Sequence, residues 1–199
     1  MTRLEAMEQY LRPFLYNQVR KKVICMESRI TDCVPKEIED LLWAAVQRQR
    51  TDTWTPAYLS VFHLHSSLLT GTYKYQICLM NEQIYFDDDF EEENWFPAFL
   101  YSTMADERAA LSQELKKNFV RVKEYEINYG LRQLAKEYKK VMEVCLIKML
   151  CHMHENPAFM GLRKQEPFHF IFGDYMGEIK SILEYKGGNI YVSKECIWK

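Results

Sequence analysis

TYKYQICLM, residues 72–80, carries the clearest strand pattern in the chain and with it the fold class. Tyr73, Tyr75, Ile77 and Leu79 fall on one side of an extended chain, and Thr72, Lys74, Gln76, Cys78 and Met80 on the other. That is the period of two that a strand imposes. Asn81-Glu82 reads as a two-residue turn, and Gln83 to Phe86 as the returning strand of a hairpin.

The return leads directly into the most unusual segment of the chain, QIYFDDDFEEENW, residues 83–95. Six carboxylates (Asp87, Asp88, Asp89, Glu91, Glu92 and Glu93) alternate here with Phe86, Phe90 and Trp95, and Phe96 follows. Between Lys74 and Arg108 there is no Lys or Arg, while nine Asp or Glu accumulate. From Arg108 to Lys164 the balance reverses to twelve basic residues against six acidic ones. A formal net charge of −2 therefore hides a segregated chain. A field of one sign attracts an opposite partner, within the molecule or outside it.

On either side of the hairpin the pattern is helical. Leu4, Met7, Leu11, Phe14 and Val19 recur at helical steps over residues 3–24, with Pro13 as a kink or early boundary. Pro35 suits a first helical turn, and Ile38, Leu41, Leu42, Ala45 and Val46 form the apolar stripe behind it. Thr55 and Pro56 read as the cap and first position of a third helix, lined by Leu59, Phe62, His63, Ser66 and Leu69. Downstream, the phase carried by Leu111, Leu115, Phe119 and Val122 shifts to that of Leu131, Leu134, Tyr138 and Val141. The shift predicts two helices, or one sharply bent, meeting at Gly130. Asn156-Pro157 ends this region. Strands follow over Phe168 to Phe172, Ile179 to Tyr185 (a short helix being the alternative) and Ile190 to Val192. The expectation is an α+β fold in one globular domain. Its parts are helical residues 3–70, a hairpin with its acidic loop over 72–97, a long helical region over 106–155, and C-terminal strands over 167–193. Amphipathic helices pack there on a small, mainly antiparallel sheet.

Composition excludes several classes. With 48% hydrophobic residues the chain is not disordered, and seven glycines are too few for a turn-rich β-sandwich. The near-neutral charge argues against direct nucleic-acid binding. Charges at Arg3, Glu5 and Glu8 argue against a signal peptide, and no apolar run is long enough to span a bilayer. A cytoplasmic location with no membrane partner is the expectation. The six cysteines contain no C-x-x-C pair and read as small buried hydrophobes.

Candidate chemistry is sparse. Asp87, Asp89 and Glu91 match the first ligand positions of a calcium loop, but Glu92 stands where its glycine is needed and Ala98 where its bidentate Glu belongs. His63/His65 and His152/His154 are spaced for one face of a strand but lie in stretches that read as helical. A zinc site there, even with Cys151, lacks ligands. Asp174, Glu178 and Lys180 carry the residue types of a metal-dependent hydrolase or nuclease. Glycine-rich phosphate loops, nucleophile elbows and cofactor fingerprints are absent. The balance favours stoichiometric binding without catalysis or cofactor. A basic protein partner would be met by Asp87, Asp88, Asp89, Phe90, Glu91, Glu92, Glu93 and Trp95, in the manner of bacterial immunity proteins and other inhibitors of nucleases. The alternative is a metal-dependent enzyme built on Asp174, Glu178 and Lys180 or on a His/Cys site.

Overall fold

In the computed structural model, which describes residues 2–27, 34–86, 88–193 and 196–198, the period-two stretch lies inside a mixed sheet. The chain gathers into two compact units. One is Met1–Arg29 with Pro97–Met142, the other Ile30–Phe96 with Glu143–Lys199. The sheet belongs to the second. Its strands are β1 (Tyr58–His63), β2 (Tyr75–Met80), β3 (Glu91–Trp95), β4 (Phe168–Asp174), β5 (Ile179–Lys186), β6 (Asn189–Val192) and β7 (Cys196–Trp198). Their order is β3-β2-β1-β4-β5-β6, with β7 also on β5. β1 and β4 run parallel and every other pairing is antiparallel, so the chain is an α+β protein with a mainly antiparallel sheet.

Two readings of the sequence change here. Residues 58–63, expected in a helix, form β1, flanked by β2 on one side and β4 on the other. A strand with both neighbours present and both faces covered reads as a continuous apolar run, which periodicity cannot separate from a buried helix. Pro56 stands just ahead of that strand, which begins at Tyr58, and only His65–Thr70 is helical, as the short helix α3. The second change concerns the hairpin. Its returning strand is not Gln83–Phe86 but the acidic run itself, β3, in the register Tyr75↔Trp95 to Leu79↔Glu91. Asn81 Oδ1 accepts from the Gln83 amide at 2.8 Å, and Ile84–Phe86 then wind into one 3-10 turn. Ile84 takes φ +51, a left-handed conformation that is a true outlier for a β-branched residue.

The sheet has two covered faces. On one lie Leu59, Val61, Ile77, Leu79, Phe168, Phe170, Phe172 and Tyr185, all buried. Phe159 packs there, its ring 5.4 Å from Phe168 and 5.2 Å from Tyr185. It belongs to α7 (Pro157–Gly161), expected as loop but started by Asn156, whose side chain accepts from the Ala158 and Phe159 amides. Helix α2 (Lys36–Arg48), burying Ile38, Leu41, Leu42 and Ala45, lies against β3, β2 and α7. On the other face Phe62, Cys78, Met80, Ile171 and Ile179 are covered by Tyr58, Ile84, Tyr85 and Phe90. Burial pushes the Cys78 thiol up to about 12, and that of Cys145 likewise, as expected of cysteines used as small hydrophobes. Cys25, by contrast, is exposed.

The first unit holds α1 (Arg3–Glu27), α4 (Ala98–Tyr101), α5 (Met104–Asn118) and the start of α6 (Glu124–Leu150). Pro13 lies within α1 without ending it. The expected break at Gly130 is at residues 119–123 instead, where Arg121 takes φ +55. Gly130 sits inside α6 for a packing reason: a Cβ there would come 2.8 Å from Leu111 Cδ2 and 3.2 Å from Leu11 Cδ1. The buried Glu126 accepts from Arg3 Nε at 2.6 Å and from the Lys123 amide at 2.7 Å. No helix among the described residues is long and apolar enough to cross a membrane.

Two outcomes test this architecture. The Arg3 guanidinium, aided by the Lys123 amide, holds the Glu126 carboxyl below its usual range, so the stabilisation is complete above the unfolded value of about 4.3. It is lost as pH falls through the lower folded value, and Glu126→Gln should flatten that acid limb in denaturation curves. At Gly173, an added Cβ would overlap the Glu178 carbonyl oxygen and lie 2.7 Å from Ile179 Cα, both backbone atoms that cannot step aside. Gly173→Ala should lower unfolding free energy by about 3 kcal/mol or more in urea titration.

Candidate functional site

A strand alternates its side chains, so β3 deals its residues to two faces. Glu91, Glu93 and Trp95 go with Leu79, Ile77 and Tyr75, on the side of α2, while Glu92 and Asn94 go with Cys78 and Gln76. Trp95, expected as an anchor for a partner, is 3% exposed, with its ring 6.2 Å from that of Tyr75. It is a core residue. Its apolar bulk is satisfied at home, which removes it from any contact surface. Phe90 is half-buried on the opposite core. The aromatic rings that do reach solvent are Phe86, 79% exposed, and Phe96, 40% exposed.

Part of the acidic run has a cation of its own. Arg48, in the last turn of α2, reaches Asp52 (Nη2 to Oδ2, 3.2 Å), Glu91 (Nη1 to Oε1, 3.1 Å) and Asp89. Its guanidinium also stacks 4.5 Å over the Trp54 ring, whose Nε1 donates to the Asp89 carbonyl at 3.1 Å. This is the planar, multi-donor use that a lysine cannot copy. The Asp89 hydrogen bond, then those of Glu91 and Asp52, hold the guanidinium protonated still more firmly than usual. The Trp54 amide, then Arg48, hold Asp52 below the usual carboxylate range. The neutralising cation thus comes from α2, outside the basic 108–164 stretch. Within that stretch Lys117 pairs with Glu114 at 2.7 Å and Lys140 with Glu137 at 2.8 Å, each in its own helix, and Arg108 pairs with Glu124.

What remains outward is a smaller set. Asp88, Glu92 and Glu93 are exposed, as is Glu82 upstream, and Asp89 is exposed too although paired with Arg48; Glu92 accepts from Gln76 Nε2, and Glu93 from the Asn94 amide at 2.9 Å. Asp87 lies outside the described residues. Arg48 is the residue that sequence reasoning missed. Its i, i+4 spacing to Asp52 was visible, but Asp89 and Glu91 lie 41 and 43 residues away.

The alternative site residues are not assembled into one centre. Asp174 Oδ1 lies 3.3 Å from His63 Nδ1, at the ends of the parallel strands β4 and β1. Glu178 is exposed in the following turn, and Lys180 Nζ is 2.6 Å from Glu143 of α6. His65 is exposed at the start of α3, while His152 and His154 follow α6 with ring centroids 6.3 Å apart. Among the described residues, no three of His, Cys, Asp and Glu gather in a group that could hold a metal ion.

No family model matches this chain, and neither a curated protein nor a solved structure does.

The Arg48 cluster makes a direct prediction. Arg48→Ala should lower stability by about 1–3 kcal/mol, because Asp89 and Glu91 then face one another uncompensated. Arg48→Lys should recover less than half of that in the same urea titration, since one ammonium cannot serve three carboxylates and a ring.

Proposed function

We propose that this chain is a stoichiometric, non-catalytic binding protein that offers an acidic, aromatic-bearing surface to a basic protein partner. The observation that carries this reading is the outward set on and before β3. Asp88, Glu92 and Glu93 remain exposed after Arg48 has engaged Asp89 and Glu91, and Phe86 and Phe96 are exposed beside them in sequence. Exposed carboxylates steer an opposite charge through the field, and exposed aromatic rings are the residue types that anchor contacts once made. Inhibitors of nucleases use the same logic when carboxylates occupy a basic site, and that is the class of partnership intended here.

The test separates outward from inward charges. In calorimetric titrations against polylysine and a panel of folded basic proteins, the wild type should bind with affinity that falls steeply as salt rises. The triple variant Asp88→Asn, Glu92→Gln, Glu93→Gln should lose about tenfold or more, and Phe86→Ala should raise the off-rate. Glu91→Gln, at the less exposed of the two β3-side carboxylates on Arg48, should alter stability while leaving binding within about twofold. Unchanged binding by the triple variant would sink the proposal.

A further inference from the structure

The geometry points to a particular mode of engagement: the free edge of β3 takes up an extended, lysine- or arginine-rich segment of another protein as an added strand of the sheet. This rests on the acidic-surface reading and narrows its partner from any basic protein to a basic segment able to run as a strand.

Among the described residues β3 has one strand neighbour, β2, and so forms an edge of the sheet. In a paired strand alternate residues turn their amide and carbonyl groups to opposite sides, so β3 presents backbone groups along its outer side, where the Asn94 amide, now donating to Glu93 Oε1 at 2.9 Å, is released when a strand adds. The edge is held at both ends. Arg48 grips Glu91 where the strand begins, and Trp95, buried against Tyr75, fixes where it stops. A strand already fixed loses little further freedom when another chain pairs with it, which is the condition for strand addition.

Charge then selects the occupant. Glu92 and Glu93 are exposed and, by alternation, point to opposite faces. An incoming strand therefore meets a carboxylate on each face, so lysines or arginines at alternate positions find one whichever face they occupy. A second copy of β3 would set glutamate against glutamate, a cross-strand arrangement that destabilises pairing. The residues that blunt this edge toward the chain's own copies are thus the ones that favour a basic strand, so that repulsion supplies the specificity. Phe96, directly after the strand and 40% exposed, offers an apolar contact beyond its end.

The experiment uses the full chain and a short peptide alternating lysine with threonine. Two further peptides of the same sequence carry N-methyl groups on every second amide, one in each phase. Strand addition predicts that the parent peptide binds and that methylation in one phase, but not the other, weakens binding about tenfold or more. It also predicts slower amide exchange within residues 91–95 of the bound chain. If both methylated peptides bind as the parent does, backbone pairing is overturned while the acidic-surface reading stands. If no peptide binds and polylysine also fails, that reading falls and this inference with it. Self-association of the unliganded chain through β3 in sedimentation would likewise overturn the charge argument.

Discussion

Trp95 must be buried, and that requirement governs where every carboxylate of the acidic run is placed. Its ring packs against Tyr75 in the interior of the sheet, and the pairing Tyr75↔Trp95 then propagates along β3 two residues at a time. A slip by one residue would bring Trp95 into solvent and turn Glu92 toward the side that α2 covers. Burial of one large aromatic side chain contributes roughly 1.5–3 kcal/mol, enough to hold a five-residue edge strand in one register. The position of Glu91 beside Arg48 follows from the same register.

Arg48 then divides the acidic run into two populations. Asp89 and Glu91 are held by a guanidinium that also stacks on Trp54 and pairs with Asp52, so their charge is offset in part within the molecule although Asp89 stays exposed. Asp88, Glu92 and Glu93 keep theirs toward solvent. A run of like charges is self-repelling, and one fork-shaped cation at its centre relieves part of that repulsion while leaving a net negative surface. Charge segregation along the chain is in this way converted into a local field by a single residue from α2.

The connection between β2 and β3 shows a different balance. Ile84 accepts a left-handed backbone, which carries a penalty of about 1–3 kcal/mol. In exchange its side chain and that of Tyr85 cover Phe62, Cys78, Met80, Ile171 and Ile179. Tyr85 is fastened further: its hydroxyl accepts from the Met176 amide at 3.1 Å, and its ring lies 5.6 Å from both Phe62 and Tyr175. Turning Ile84 and Tyr85 inward accompanies the exposure of Phe86, the next residue. Strain in the loop and an exposed aromatic ring beside acids thus arise together.

The α+β class, helices α1 and α2, strands β2, β4 and β6 and the segregation of charge are legible in the chain alone, while residues 179–185 read equally as strand or short helix. Each of these rests on a short-range signal: a period of two, a stripe at three and four, or a run of one sign. That residues 58–63 form a strand follows from their place between β2 and β4, because a segment covered on both faces loses its periodicity. The tertiary structure alone decided that the acidic run is itself a strand, and that Gly130 answers to Leu111 and Leu11 rather than to a bend. It also decided which candidate site residues face outward. Trp95 went to the core because Tyr75 lies beside it, and Asp89 and Glu91 went to Arg48, contacts made across some 20 to 43 residues. Local patterns cannot encode such pairings, since they depend on which strands become neighbours.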